Sequence, residues 1–71
     1  MAESVYRVTE VVGVSEESWE AAARAAIETA AKSVRELRVA EVVRSDLTIQ
    51  DGKVLNYRVR LGISFKYTPS E

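Results

Sequence analysis

The sequence contains no cysteine and no histidine, and it has one proline and one tryptophan. Without cysteine there is no thiol nucleophile, and without either residue there is no Cys/His zinc site. The lack of histidine also excludes Ser-His-Asp triads and acid–base catalysis by imidazole. Because no nucleophile or acid–base pair stands out among the remaining residues, the protein is predicted not to be an enzyme.

Charge of neither sign is in excess, since ten Lys/Arg residues stand against eleven Asp/Glu residues. Nucleic-acid-binding domains normally carry a clear basic excess, so no nucleic-acid partner is expected. The apolar runs are far shorter than the ~20 residues needed to cross a bilayer, so no membrane partner is expected either. The N-terminus shows no secretion signal, and the cysteine-free composition agrees with a cytoplasmic location.

At 71 residues the chain has room for a single domain, residues 1–71, with a thin hydrophobic core. Ordering the chain costs roughly 1.5 kcal/mol per residue, on the order of 100 kcal/mol in all, which burial must offset. With no cysteine and no room for a metal cage, self-association is the remaining stabiliser. The composition therefore predicts a homo-oligomer.

The pattern along the chain predicts an α+β fold of order β-α-β-β, a three-stranded antiparallel sheet wrapped on one amphipathic helix. A strand is predicted over 4–12 and is ended by Gly13. Ser15 is predicted to cap a helix of about 20 residues. Strands over 38–50 and 53–67 follow, joined by a turn at Asp51-Gly52. The last strand would reach roughly 50 Å, so it must bend or run past its own core.

The Asp51-Gly52 turn also predicts the register of the last two strands, counted outward from the turn. The predicted pairs are Val39–Ser64, Glu41–Gly62, Val43–Arg60, Ser45–Arg58 and Leu47–Asn56. Paired residues share a face of the sheet, so all of these are expected on the face away from the helix. That face would combine an apolar strip with cationic side chains, the strip being Val39, Val43 and Leu47 and the cations Arg58, Arg60 and Lys66.

This face has two interpretations. It is a subunit interface, or it is a site for an aromatic or anionic small molecule that uses the apolar strip as a platform and the arginines as charge. The two are compatible if the site lies between subunits. A diagonal Glu41–Arg60 ion pair is interpreted as structural rather than catalytic. Trp19, in phase with the apolar side of the helix, is interpreted as a core or interface anchor.

Three stretches of the sequence, in this order and spacing, resemble the dodecins. They are VGVSEESWEAAARAAI (12–27), VAEVV (39–43) and YRVRLGISF (57–65). Dodecins are small β-α-β-β proteins that assemble as hollow homododecamers and typically hold flavin. The resemblance implies a small-ligand binding and storage protein whose neighbouring subunits complete the thin core and cover the long third strand.

The resemblance also implies where a flavin would bind and how this chain departs from that site. In flavin-binding dodecins a Trp at the start of the second strand stacks on the isoalloxazine ring, and a Gln on the third strand hydrogen-bonds it. The corresponding residues here are Val39 and Arg58, with Ser45 and Arg60 beside them. Losing a stacking contact of roughly 1–3 kcal/mol predicts binding of FMN, riboflavin or FAD weakened by about one to two orders of magnitude. Arg58 would compensate in part by stacking or by holding a phosphate.

The sequence more closely resembles a second branch of the family, the calcium dodecins, which lack the Trp at the flavin-stacking position. The similarity lies in Trp19, Val39, Asp46 and the Ser64-Phe65-Lys66 segment. It implies that Asp46 or Glu41 binds a cation such as calcium near a symmetry axis, where three subunits each supply an oxygen ligand. A purely structural assembly without a specific ligand is the remaining alternative.

Overall fold

The computed structural model describes residues 3–67 and confirms the predicted β-α-β-β order. Strand β1 spans Tyr6–Ser15, helix α1 Trp19–Ala30, strand β2 Leu37–Gln50 and strand β3 Lys53–Lys66. The strands form one antiparallel sheet in the order β1-β3-β2. Within residues 3–67, no helix is long and apolar enough to cross a membrane.

The helix covers one face of the sheet, here called the helix face, and packs mainly on β1 and β3. The central strand β3 supplies most of the core because Val59, Leu61 and Ile63 all point toward the helix and are buried. The helix contributes Ala22 and Ala26, whose small side chains let it lie close to the sheet. The core of the described residues is therefore as thin as the chain length predicts.

The opposite face of the sheet, here called the open face, carries polar and apolar side chains in alternating rows. Register places on it Val8, Glu10, Val12 and Val14 of β1, Arg58, Arg60, Gly62 and Ser64 of β3, and Val39, Glu41, Arg44 and Asp46 of β2. Val8, Val12, Val14 and Val39 are all exposed. Such a row of exposed valines is what a partner surface would cover.

The helix begins at Ser18 rather than at Ser15, which corrects the predicted cap. Ser18 has an extended backbone, with φ −170°, and its hydroxyl accepts a hydrogen bond from the Ala21 amide at 3.0 Å. The Ser15 hydroxyl accepts instead from the Glu17 amide at 2.9 Å, in the turn before the helix. Each hydroxyl satisfies an amide that would otherwise lack a partner.

The helix is also shorter than predicted, with 12 residues. Its apolar spacing continues past Ala30, but the chain turns there, and Glu36 takes a left-handed conformation with φ 63°. That conformation reverses the chain into β2, which begins at Leu37. Leu37 packs against the core from a strand and not from the helix.

Strand β1 continues through Gly13, although the sequence predicted that this glycine would end it. Gly13 lies directly beneath the helix, where a Cβ atom would stand 2.1 Å from the Ala22 carbonyl oxygen and 3.0 Å from the Ala26 Cβ. The glycine is therefore required by the close approach of helix and strand.

Strands β2 and β3 pair with three irregularities. The first is an extra residue, Arg38, between the pairs Leu37–Phe65 and Val39–Ser64. The other two are the bulges that decide which side chains share the open face. The predicted pairs Val39–Ser64 and Glu41–Gly62 are confirmed, but Val43 is then an extra residue on β2 and shifts the pairing by one. An extra residue on β3, Leu55, restores the predicted register at Ile49–Val54. Bulges of this kind change which face each side chain meets.

Between the two bulges three predicted pairs are wrong, namely Val43–Arg60, Ser45–Arg58 and Leu47–Asn56. The observed pairs are Arg44–Arg60, Asp46–Arg58 and Leu47–Tyr57, and Ser45 stands opposite Val59. Ser45 and Leu47 therefore lie on the helix face rather than on the open face.

The β2–β3 hairpin extends beyond the helix. The described chain measures 54 × 20 × 15 Å and has a radius of gyration of 14.8 Å, against about 11 Å for a compact globule of this length. This confirms that the third strand runs past its own core.

Candidate functional site

The first part of the candidate site is the aliphatic row Val8–Ser64–Val39, which crosses all three strands of the open face. Val39 is 61% exposed. Next to this row, a Cβ at Gly62 would lie 3.6 Å from a methyl group of Val8 and 3.6 Å from one of Val43. The row therefore presents the methyl groups of Val8 and Val39 on either side of Ser64.

The second part is the ion pair of Arg58 with Asp46, which the shifted register places opposite each other. Arg58 donates from Nε to Asp46 Oδ1 at 2.9 Å and from Nη2 to Oδ2 at 3.5 Å. The guanidinium thus meets both carboxylate oxygens along one edge, an arrangement that is stronger and more directional than a single contact. Both side chains remain close to half exposed.

Trp19 holds Asp46 from the opposite side of the sheet. Its indole Nε1 donates a hydrogen bond to the Asp46 carbonyl oxygen at 3.1 Å. Its ring meets Tyr57 edge to face, with the centroids 5.3 Å apart, a favoured aromatic geometry. The main chain and the side chain of Asp46 are therefore both fixed, from two faces of the sheet.

Arg60 pairs with Glu10 and not with Glu41, which corrects the predicted ion pair. Arg60 Nη1 donates to Glu10 Oε1 at 3.0 Å. On the other side Arg60 stands opposite a second cation, Arg44. Glu41 lies opposite Gly62, and its carboxylate forms no ion pair within the described part of the chain.

The structure brings together only some of the predicted site residues. Val39, Arg58, Arg60, Glu41 and Asp46 share the open face, as predicted for Val39 and Arg58, whereas Ser45 lies on the helix face. Val39 is opposite Ser64, six residues along β3 from Arg58, which corresponds to about 20 Å. A small ligand that contacts both a Val39 and an Arg58 would therefore need them from different copies of the chain.

Sequence reasoning missed the Asp46–Arg58 pair because it assumed a regular hairpin. It missed the Glu10–Arg60 pair because the sequence analysis predicted no register between β1 and β3. The phase of the β2 pattern holds the signal for a bulge. On the open face Val39 and Glu41 sit at odd positions, whereas Arg44 and Asp46 sit at even positions, and the change falls at Val42-Val43. Matching Asp46 to Arg58 by charge would have indicated the same shift.

A flavin ring finds little on this face to hold it. Val39 supplies no aromatic surface, and the guanidinium edge of Arg58 is already bonded to Asp46. The aromatic pair Trp19–Tyr57 lies on the helix face. The residues present therefore do not fit a stacked flavin well.

The described residues of one chain also lack a complete ligand set for a metal ion. No group of three or more acidic side chains comes together among residues 3–67. Asp46 is paired with Arg58, and Glu10 with Arg60. The third carboxylate of the open face, that of Glu41, is therefore the one left for a cation.

A basic groove of about 440 Å³ lies at the far end of the sheet, near the start of β1 and the end of β3. Its lining includes Arg7, whose guanidinium lies 5.6 Å from the centre of the Tyr67 ring. Glu36 also lines it and accepts a hydrogen bond from Arg38 at 2.6 Å. This bond and the Arg38 charge lower the pKa of the Glu36 carboxyl below its usual range.

Comparison with known proteins agrees with this architecture. The family model described as Dodecin matches residues 5–68. The chain is 40% identical over 68 residues to a calcium dodecin of Mycobacterium tuberculosis, covering 96% of each. It superposes with a TM-score of 0.91 on a dodecin from Streptomyces coelicolor, at 37% identity over 99% of this chain and 100% of that one.

A further solved structure is the calcium-chelating immunodominant antigen of Mycobacterium tuberculosis, a calcium dodecin described as having a novel calcium-binding site. It matches with a TM-score of 0.80 and 43% identity, over 96% of this chain and 97% of that one.

Proposed function

The chain belongs to the dodecin family of small ligand-binding proteins and to its calcium-dodecin-like branch, and from this premise we propose that it forms a hollow homododecamer with weakened flavin binding. The observation that carries the proposal is Val39, an exposed aliphatic residue on the open face. By the family resemblance, it stands where flavin-binding dodecins have the Trp that stacks on the flavin. Losing that stacking contact lowers flavin affinity by about one to two orders of magnitude.

The shape of the chain supports assembly. The described part of the chain measures 54 × 20 × 15 Å and buries five core hydrophobics, so much of its apolar surface is left for neighbours to cover. The valines of the open face are part of that surface. The separation of Val39 from Arg58 also supports a ligand site that is shared between subunits.

Native mass spectrometry tests the assembly. Twelve copies of the 7.9 kDa chain give a closed particle of about 95 kDa, and the mass also reports any bound ligand. A monomeric mass would contradict the assembly. A twelve-fold particle that carries neither calcium nor cofactor after purification would favour a purely structural role.

Fluorescence titration of riboflavin and FMN tests the flavin part of the proposal. The affinity for flavin, read from the concentration that half-saturates the quenching, is expected to be at least tenfold lower in the wild type than in Val39→Trp. The reason is that an aromatic ring at this position restores stacking. Val8→Trp is the matched control, because Val8 lies in the same row at the opposite strand and is not at the stacking position. Equal gains from both substitutions, or none from Val39→Trp, would show that Val39 is not the determinant.

Calcium is the second candidate ligand, and a specific observation favours it. The Glu41 carboxylate forms no ion pair in the described chain. In addition, the matches at 40% and 43% identity are named calcium dodecin. Oxygen ligands from several copies would complete a hard-cation site. Asp46, the other acidic candidate, would first have to leave Arg58.

Isothermal titration of the assembled protein with calcium tests this second candidate. Glu41→Gln is expected to abolish or strongly weaken binding, whereas Glu10→Gln changes the net charge equally and should retain it. Binding that survives Glu41→Gln but is lost in Asp46→Asn would move the site to Asp46.

A further inference from the structure

The edge of Arg58 that could bind an anion is already occupied by a carboxylate of the same chain. We propose that Asp46 is a specificity-determining residue, which competes for Arg58 and so disfavours phosphate-bearing ligands at this site. The inference rests on the proposed function only in placing Arg58 at the ligand-binding face.

The geometry of the pair makes the competition direct. Carboxylates and phosphates both bind guanidinium through two parallel N–H donors along one edge. Arg58 directs Nε and Nη2 at the two oxygens of Asp46. A phosphate group that approached this edge would have to displace the carboxylate.

Asp46 is a well-positioned competitor because it is held independently of Arg58. The β2 bulge at Val43 places it opposite Arg58, and the Trp19 indole fixes its carbonyl. Its side chain is short, so little conformational entropy is lost when the ion pair forms. An intramolecular group held this way has a high effective concentration at its partner.

Arg60, two residues along the same strand, offers a contrast. It is bound through one contact to Glu10, a longer side chain from β1, and it stands opposite the cation Arg44. Arg58 is instead flanked by Val14 and Asp46. Anion exclusion is therefore a property of the Arg58 position and not of the whole face.

Arginine-selective labelling of the assembled protein with phenylglyoxal, in a titration with inorganic pyrophosphate, tests the inference. Peptide mass spectrometry gives the pyrophosphate concentration that half-protects each arginine. Asp46→Asn is expected to lower that concentration for Arg58 by about fivefold. An exposed ion pair contributes up to about 1 kcal/mol, and 1.36 kcal/mol corresponds to a tenfold change in an equilibrium constant. Asp46→Ala gives a second comparison, because an Asn oxygen can still accept from Arg58.

Glu10→Gln is the matched control, since it raises the net charge equally beside a neighbouring arginine. It should leave the Arg58 value within about twofold. An equal shift in Glu10→Gln would attribute the effect to net charge and overturn the inference. So would unchanged protection in both Asp46 variants, or an Arg58 that pyrophosphate never protects in them. The labelling uses no flavin, so its failure leaves the flavin titration of Val39→Trp to be judged separately.

Discussion

Gly13 and Ala22 touch through the backbone: a Cβ added to Gly13 would stand 2.1 Å from the Ala22 carbonyl oxygen. The contact sets the spacing between helix α1 and strand β1. It joins Ala22, a fully buried residue of the helix, to the sheet beneath it.

Gly13→Ala is expected to lower the free energy of unfolding by about 3 kcal/mol, at the upper end of overpacking costs, because a backbone oxygen cannot rotate away. Urea unfolding at fixed chain concentration measures the change. Gly62→Ala is the control, since its Cβ would make only ordinary contacts at 3.6 Å and should cost less than about 1 kcal/mol. Equal costs would mean that the helix does not press on β1 as described.

Leu61→Ala is expected to destabilise the fold by about 3 kcal/mol, because Leu61 is 1% exposed and its truncation leaves a cavity. Leu47→Ala removes the same atoms from a residue that is 38% exposed in the single chain and should cost about 1 kcal/mol. Thermal and urea unfolding give both values. A Leu47 cost that matched that of Leu61 would show that a neighbouring subunit covers Leu47.

Trp19→Phe is expected to cost about 1 kcal/mol of stability, because it removes the N–H donor to Asp46 but keeps an aromatic ring against Tyr57. Trp19→Ala removes both contacts and should cost about 2 kcal/mol or more. Hydrogen exchange of the β2 amides around Asp46 should accelerate in both variants. Slower exchange there, or no change in either variant, would contradict a role for the indole in holding Asp46.

Glu36→Gln tests the pH dependence of the Glu36–Arg38 pair. Because Arg38 lowers the pKa of the folded-state Glu36 carboxyl, its stabilising effect is complete above the ordinary glutamate pKa and is lost as pH falls through the lowered value. The wild type should therefore be slightly more stable than Glu36→Gln at neutral pH, and the two should converge in acid. Denaturant midpoints between pH 7 and pH 2 measure this, with Glu28→Gln as the charge control. A gap that widened toward acid would contradict the assigned sign.

The order of elements was predictable because local patterns determine it. The alternation in β3 placed Val59, Leu61 and Ile63 on one face, and Asp51-Gly52 marked the turn; both agree with the structure. The helix end was not predictable from spacing, since the apolar period continues to Leu37 although the helix ends at Ala30. Gly13 was misread because a glycine in a strand gives the same local signal whether it ends the strand or makes room for a helix.

The candidate site was predictable in part. Val39 and Arg58 fall on the open face as expected, because the predicted register holds at Val39–Ser64 and the alternation of β3 carries Arg58 to the same face as Ser64. Ser45 was misplaced because a single extra residue inverts the side chains beyond it. The Glu41–Arg60 pair was wrong because Arg60 pairs with Glu10 of β1 instead. No local rule of turn length reports such an insertion.

The two bulges between β2 and β3 have an evolutionary consequence. Val43 adds a residue to one strand and Leu55 adds one to the other, so the hairpin has the same alignment before the first bulge and after the second. A paired deletion of these two residues would leave the other observed pairs unchanged, with Asp46 still opposite Arg58 and Ser45 still opposite Val59. Two small genetic changes could thus remove both bulges without exchanging the side chains that face each other across the hairpin.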